Sequence, residues 1–193
     1  MKLWDRVQRS IIAHEGGYTD DPRDRGNWST GKIGEGVLLG TKYGISAMSY
    51  PKLDIKNLTR DEAVAIYERD FWARIPADLP DGLRWIAFDA AVNHGPQRAL
   101  EWLKNHHSVA SYAATRLRFY TGISTWDVYS KGWTRRIANL LDEIEAWLAS
   151  SPPTAEVVVL HGILDRPVTL RGNFVWRARS QKIDIRWVGP IEE

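Results

Sequence analysis

The chain has 193 residues, of which 44% are hydrophobic and 26% are charged, and its formal net charge is +2. This size and composition suit one domain with a small appendage. The absence of cysteine excludes disulfides and cysteine-based metal or redox sites. The small net charge disfavours a nucleic-acid partner, and no apolar run approaches roughly 18 residues, so we expect no membrane-spanning segment.

The first predicted element is an amphipathic helix over residues 3–14. Its apolar residues fall near helical spacing and are Leu3, Trp4, Val7, Ile11 and Ile12. Gly16 and Gly17 should end the helix, because glycine readily adopts positive φ. Glu15 then lies in the last turn, where the helix dipole and apolar neighbours would raise the pKa of its carboxyl group. A raised pKa suits an acid that donates a proton near neutral pH.

A second carboxyl group, that of Asp24, follows nine residues after Glu15. It lies in a polar loop punctuated by proline and glycine, where a carboxylate should stay ionised. Two carboxyl groups in contrasting environments are the pattern of a glycosidase pair. The spacing alone is a weak signal, because the chain has 24 acidic residues and most such pairs are solvated surface acids.

Residues 18–46 form a long glycine-rich segment, and loops of this length are usually functional. Its glycines are spaced too irregularly for a phosphate-binding loop. We expect residues 37–39 and 43–45 to pair as the short strands of a small β-lobe. The alternative is a disordered insertion, because the segment is polar.

Three further helical patterns follow. Residues 46–50 predict a short helix stopped by Pro51. Thr59 and Glu62 have the spacing of a capping box, so a second helix with a buried stripe should begin there. Residues 83–93 are apolar nearly all round, which predicts a core helix.

Polar residues on this core helix need partners. Asp89 and Asn93 are four residues apart and share one face. They either bind an N-acetyl or hydroxyl group of a ligand or form a buried structural hydrogen bond. The structural interpretation is favoured for Asp89, and both stay open for Asn93. His94 is a candidate to line a cleft, although a histidine at a helix end is more often a cap.

The second half of the chain begins with three more predicted helices. Gly95 and Pro96 should break the core helix, and helices are expected over 97–104, 109–120 and 130–148. A cluster of basic residues predicts a basic surface or a solvated helix face. The cluster comprises Arg116, Arg118, Lys131, Arg135 and Arg136. His106 and His107 are adjacent and lack metal-ligand spacing on a helix, so we assign no metal.

The pattern changes from helical to alternating near the C-terminus. Residues 150–154 read Ser-Ser-Pro-Pro-Thr and predict a linker. Beyond it, four strand-like runs predict a small β-meander over 155–193. Its role is unassigned, and a docking appendage is favoured over a separate binding module. The expected organisation is therefore a domain over 1–149, a linker over 150–154 and an appendage over 155–193.

Three motifs resemble the glycoside hydrolase family 108 lysozymes, which are N-acetylmuramidases found as phage endolysins and as secretion-associated muramidases. The first joins Glu-Gly-Gly-Tyr at 15–18 and Asp-Pro-Arg-Asp-Arg-Gly at 21–26 to Thr-Lys-Tyr-Gly-Ile-Ser at 41–46. The others are residues 88–96 and the Gly-Trp-x-x-Arg segment within 131–136. The resemblance covers residues 1–149. It implies a mainly α, lysozyme-like helical domain with a small β-lobe.

The resemblance also implies site residues. The catalytic glutamate of the family corresponds to Glu15. A looser similarity to T4-type phage lysozymes implies that Asp24 orients or activates water and that Thr41 helps to hold it. The expected substrate contacts are Tyr18, Tyr43, Asn93 and His94. In many members the aspartate loop runs almost directly into the Thr-Lys-Tyr-Gly-Ile segment. Residues 26–40 intervene here, so the resemblance does not fix how Asp24 lies relative to Thr41.

The resemblance implies hydrolysis of the β-1,4 bond between N-acetylmuramic acid and N-acetylglucosamine. The expected partner is a peptidoglycan glycan strand, the protein is expected to be a monomer, and no cofactor or metal is expected. The alternatives are a lytic transglycosylase, a chitinase-like enzyme, or an inactive phage wall-binding or structural protein. The N-terminus lacks the pattern of a signal peptide. We therefore expect synthesis in the host cytoplasm and action on the cell wall, in the periplasm, after release by a holin or a secretion system.

Overall fold

The computed structural model describes residues 2–14, 17–106 and 108–150, together with the strands of the C-terminal segment. The chain forms two compact units, residues 1–141 and 142–193. The predicted boundaries at residues 149 and 155 and the linker between them stay predictions. Within the described part of the chain, no helix has the length and apolar character needed to cross a membrane.

The first unit is mainly helical, as the sequence predicts. Its α-helices are α1 (Leu3–His14), α2 (Arg60–Asp70), α3 (Asp81–His94), α4 (Pro96–Leu103), α5 (Val109–Thr121) and the first part of α6 (Trp126–Ser150). A short antiparallel hairpin, β1 (Thr41–Lys42) and β2 (Ile45–Ser46), forms the small β-lobe. The expectation of a lysozyme-like helical domain with a small β-lobe is therefore confirmed.

Helix α3 is the centre of the core, because it is apolar on nearly every side. Phe88 of α3 is 1% exposed and meets Trp4 of α1 and Trp72 edge-on, with ring centroids 5.6 and 5.5 Å apart. Trp4 and Trp72 stack at 5.1 Å. This aromatic packing holds the first turn of α1 against the core.

The capping box of α2 is present as predicted. The Thr59 hydroxyl accepts a hydrogen bond from the backbone N–H of Glu62, and the Glu62 carboxylate accepts one from the backbone N–H of Thr59. Farther along α2, the Tyr67 hydroxyl donates to the carbonyl oxygen of Tyr43 at 2.8 Å. The helix thereby holds the turn of the β1–β2 hairpin.

The strand pairing of the β-lobe differs from the prediction. We expected residues 37–39 to pair with 43–45, but Leu38 pairs with Trp28. Tyr43 and Gly44 have φ of 51° and 74°, so they form the two-residue turn of the hairpin instead of a strand. Residues 47–49 form a turn where a short helix was expected over 46–50.

The second unit contains two antiparallel strand pairs among its described residues. Strand β3 (Val158–Val159) pairs with β4 (Thr169–Leu170), and β5 (Phe174–Arg179) pairs with β6 (Lys182–Trp187). Each of these strands overlaps one of the four strand-like runs of the sequence. The β-meander over 155–193 includes residues outside the described ones and stays a prediction.

Candidate functional site

Glu15, the predicted acid, lies outside the described residues. Helix α1 ends at His14, immediately before it in the sequence. The predicted catalytic role of Glu15 therefore stays a prediction. The other predicted site residues are described, and most of them lie between the end of α1 and the β1–β2 hairpin.

Asp24 begins a 3₁₀ turn over Arg25–Asn27. Its Oδ1 accepts a hydrogen bond from the backbone N–H of Gly26 at 2.8 Å, which orients the carboxylate at the surface of the loop. Asp21, three residues earlier, is instead paired with Arg23 at 2.8 Å. Hydrogen bonds from Arg23 lower the pKa of Asp21 to about 2. A cation thus keeps Asp21 ionised, whereas the contact of Asp24 with a backbone N–H fixes the orientation of its carboxylate.

The insertion over residues 26–40 folds back on itself. The backbone N–H of Ser29 donates to Val37 at 2.9 Å, and the N–H groups of Leu39 and Gly40 donate to the carbonyl oxygen of Asn27 at 3.0 and 3.1 Å. The two ends of the insertion therefore meet at Asn27. The alternative of a disordered insertion does not describe this loop, and its length does not separate Asp24 from Thr41 in space.

Gly40 allows the chain to pass close to residues 18 and 19. Its φ is 84°, and a Cβ atom there would lie 2.6 Å from both the Thr19 carbonyl oxygen and the Tyr18 ring. Thr19 and Thr41 then pair through two backbone hydrogen bonds of 2.9 and 2.8 Å. Tyr18, a predicted substrate contact, is thereby placed beside the strand that carries Thr41. Burial, and then the carboxylate of Asp20, raise the pKa of the Tyr18 phenol, which keeps it protonated.

Asn27 connects the aspartate loop to Thr41. Its side chain is 0% exposed; Nδ2 donates to the Asp21 carbonyl oxygen at 3.0 Å, and Oδ1 accepts from the Thr41 hydroxyl at 2.7 Å. Sequence reasoning did not single out Asn27, because an asparagine in a glycine-rich loop is typical of a turn. The signal that could have found it is its place three residues after Asp24, at the start of the insertion.

Tyr43 occupies the first position of the hairpin turn, and its carbonyl oxygen is held by Tyr67. The Lys42 ammonium lies 5.5 Å from the Tyr43 ring centroid. Thr41 and Tyr43 are two residues apart, on a hairpin whose turn is tied to α2. The structure therefore brings Tyr18, Asp24, Thr41 and Tyr43 into one loop–hairpin region.

Asp89 and Asn93 form the structural hydrogen bond that was one of the two interpretations. Nδ2 of Asn93 lies 2.6 Å from the Asp89 carbonyl oxygen and 3.4 Å from its carboxylate. Asp89 also pairs with Arg116 at 2.7 Å and Arg136 at 2.8 Å. A substrate contact by Asn93, which is exposed, stays a prediction.

The prediction of a basic surface is wrong for Arg116 and Arg136. Arg116 is 0% exposed, and Arg136 reaches Asp89 across the core, so neither contributes a free surface cation. Burial alone would raise the pKa of the Asp89 carboxyl group, but the two guanidinium groups reverse this effect and hold it below its ordinary value. The correction arises because helix packing brings an acid to the arginines from another part of the sequence.

His94 lies at the end of α3, inside an aromatic cluster. Its ring centroid is 5.3 Å from those of Trp102, Phe119 and Tyr120, and its Nε2 is 3.0 Å from the Tyr120 hydroxyl. Burial, and then the positive charges of Arg116 and Arg98, lower the pKa of His94 to about 4. Packing therefore accounts for the position of His94, and its predicted substrate contact stays a prediction.

The lowered pKa of His94 predicts a loss of stability in mild acid. Between the ordinary pKa of 6.5 and about 4, the unfolded chain binds a proton that the folded chain does not, so the free energy of unfolding falls as the pH falls. The melting temperature of the wild type should drop more between about pH 7 and about pH 5 than that of His94→Gln. Equal drops in the two proteins would contradict this assignment.

Among the described residues, no group of three or more His, Asp or Glu side chains could hold a metal ion. The first unit is thus a mainly helical domain with an aromatic core and a small β-lobe, which is the architecture that the resemblance implied. Residues 8–95 match the model of the family described as Glycosyl hydrolase 108. At the level of the family, the match supports a glycoside hydrolase that cleaves peptidoglycan. The matched segment includes every predicted site residue.

The fold is shared with a solved structure, that of SagA from Brucella abortus. The two chains are 23% identical, the alignment covers 77% of this chain and 97% of the other, and the TM-score is 0.62. This comparison bears on the fold. The comparison with curated proteins gave no match.

Proposed function

We propose that this protein is an N-acetylmuramidase of the endolysin type. It hydrolyses the β-1,4 bond between N-acetylmuramic acid and N-acetylglucosamine in peptidoglycan. The observation that carries the proposal is the closure of the insertion at Asn27. It leaves Asp24 and Thr41 on either side of one buried residue, within the segment that matches the glycosidase family.

The proposed reaction uses Glu15 as general acid. Glu15 donates its proton to the departing glycosidic oxygen while the bond from that oxygen to the anomeric carbon breaks. A water oxygen forms the new bond to this carbon, and the proton that the water loses passes to Asp24. Thr41 helps to hold the water. Because the substrate lies outside the cytoplasmic membrane, the proposed route to it is release through a holin or a secretion system.

The experiment is digestion of purified peptidoglycan, followed by mass spectrometry of the soluble fragments. Hydrolysis by a muramidase leaves a reducing N-acetylmuramic acid end. A lytic transglycosylase would leave a 1,6-anhydro end, which is lighter by one water, and a chitinase-like enzyme would instead cleave chitin oligomers. Binding to peptidoglycan without release of fragments would contradict the proposal and support an inactive wall-binding protein.

Asp24→Asn should lower turnover by about 100-fold or more while leaving the melting temperature nearly unchanged. The asparagine oxygen can still accept the hydrogen bond from Gly26, so the 3₁₀ turn persists while the base and its charge are lost. Asp61→Asn, at an exposed acid of the first turn of α2, is the matched control and should keep full turnover. Normal turnover by Asp24→Asn would move the role to another acid, of which Glu35 is the first to test.

A further inference from the structure

The hydrogen bonds of Asn27 determine the direction of the bond to Thr41. The Asp21 carbonyl oxygen can only accept, so the Asn27 atom that faces it at 3.0 Å is Nδ2. Oδ1 therefore faces Thr41 at 2.7 Å. Because an amide oxygen also only accepts, the Thr41 hydroxyl must donate its hydrogen to Asn27. A rotation of the amide would place two acceptors, Oδ1 and the Asp21 carbonyl oxygen, against each other.

Asn27 is held too firmly for this direction to reverse. Its backbone N–H donates to the Asp24 carbonyl oxygen at 3.1 Å, and its own carbonyl oxygen accepts from Leu39 and Gly40. With its side chain 0% exposed, water cannot replace the Asp21 or Thr41 contacts without opening the loop. Asn27 is thus fixed relative to both Asp24 and Thr41.

A hydroxyl group has one hydrogen and two lone pairs, so a Thr41 that donates to Asn27 offers only lone pairs to any other group. We infer that Asn27 is a positioning residue that fixes Thr41 as a hydrogen-bond acceptor for the attacking water. This inference rests on the proposed function. The half-buried position of Thr41 leaves part of the residue accessible.

The acceptor state of Thr41 suits the chemistry of the water. An attacking water has two hydrogens, one of which it gives to Asp24 as its oxygen bonds to the anomeric carbon. If the other hydrogen is donated to Thr41, a lone pair of the water oxygen remains free for the attack. If Thr41 donated instead, its hydrogen would occupy a lone pair of the water and weaken the nucleophile.

A double-mutant cycle tests the inference, with kcat and KM measured on soluble glycan chains. Asn27→Leu and Thr41→Val should each lower kcat by about tenfold, with KM unchanged, as for a coupled hydrogen-bonded pair. The double variant should be no slower than the slower single variant, because Asn27 acts through Thr41. Thr41→Ser keeps the hydroxyl and should retain nearly full kcat.

Two control variants separate positioning from loss of structure. Ser29→Ala removes a bond of 2.9 Å to the backbone N–H of Val37 inside the same insertion, but leaves the Asn27–Thr41 bond in place. Asn57→Leu makes the same substitution at an exposed asparagine that bonds Asp54 at 2.8 Å. Both should keep the wild-type kcat. If the fold reductions in kcat of Asn27→Leu and Thr41→Val multiply in the double variant, the two residues act independently, and the inference is overturned.

Separate values of kcat and KM distinguish a water from a sugar hydroxyl as the group that donates to Thr41. A raised KM with unchanged kcat in Thr41→Val would indicate that Thr41 accepts from the sugar, which would overturn the assignment to water. If Asn27→Leu fails to fold, the side-chain amide signal of Asn27 in NMR spectra replaces it. The chemical shift of this signal should change in Thr41→Val and stay nearly the same in Thr41→Ser. An unchanged chemical shift in both variants would contradict the Asn27–Thr41 hydrogen bond.

Failure of this inference is distinguishable from failure of the proposed function. An inactive Glu15→Gln together with uncoupled Asn27 and Thr41 variants would overturn the inference alone. A fully active Glu15→Gln would overturn the proposed mechanism. The NMR measurement tests the Asn27–Thr41 bond without any turnover.

Discussion

Glu15→Gln should lower the turnover of peptidoglycan by at least about 10²–10⁴-fold, the range that general acid catalysis contributes. Glutamine keeps the size and most hydrogen bonds of glutamate, but it cannot donate a proton as a carboxylic acid does. The melting temperature should stay the same or rise slightly. Glu15 directly follows α1 in the sequence, and a negative charge beyond a helix C-terminus is disfavoured by the helix dipole.

Glu101→Gln is the matched control. Glu101 is an exposed acid in the last turn of α4, so the substitution makes the same chemical change at a similar position in another helix. It should leave turnover unchanged. A stable Glu15→Gln protein that clears peptidoglycan at nearly the wild-type rate would end the proposed mechanism. A large drop in melting temperature with partial activity would instead indicate a structural acid.

The helices could be predicted because their signals are local. The capping box before α2, the apolar run of α3 and the Gly95-Pro96 break each depend on residues a few positions apart. The structure places the corresponding helix boundaries within a few residues of the predicted ones. Start positions without such a signal were less accurate, and α6 begins at Trp126 where residue 130 was expected.

The pairing within the β-lobe could not be predicted in the same way. Strand register depends on which residues can form the turn, and here Tyr43 adopts a φ of 51° that is uncommon for a tyrosine. The hydrogen bond from Tyr67 to its carbonyl oxygen stabilises the turn. That contact joins residues 24 positions apart and has no local signature.

The candidate site shows the same limit of sequence reasoning. Asp24 and Thr41 were found from their residue types and the family resemblance. Asn27 was not found, because its importance comes from burial and from a bond across 14 positions of the chain. The prediction of a basic surface was wrong for Arg116 and Arg136 for a similar reason. Asp89 and Arg136 are 47 positions apart, so their contact has no local signature in the sequence.

Asp89→Asn should destabilise the fold by about 3–5 kcal/mol, the usual cost of removing one partner of a buried ion pair. The substitution leaves Arg116, which is 0% exposed, without its counter-charge. Among the described residues, Nε and Nη1 of Arg116 already lack a hydrogen-bond partner, so Asp89 is its main source of compensation. Urea unfolding of the variant and the wild type at about pH 7 would measure the difference.

A second pair of variants separates the buried charge from packing. Arg118→Met, at an exposed arginine on the same helix as Arg116, should be nearly neutral. Asp89→Leu combined with Arg116→Met should be less destabilised than the sum of the two single substitutions, because the double variant buries no unpaired charge between these positions. Additive losses would contradict the ion-pair account.

The pH dependence gives an independent test of the same charge. Because the folded protein holds the pKa of Asp89 below its ordinary value, the unfolded chain takes up a proton first as the pH falls. The stabilisation is therefore present above the ordinary carboxyl pKa and is lost as the pH falls through the lower folded value. The side chain in Asp89→Asn has no carboxylate to take up this proton, so the unfolding free energy of the variant should depend less steeply on pH in acid than that of the wild type. Parallel curves for the two proteins would show that Asp89 does not carry the buried charge that holds α3, α5 and α6 together.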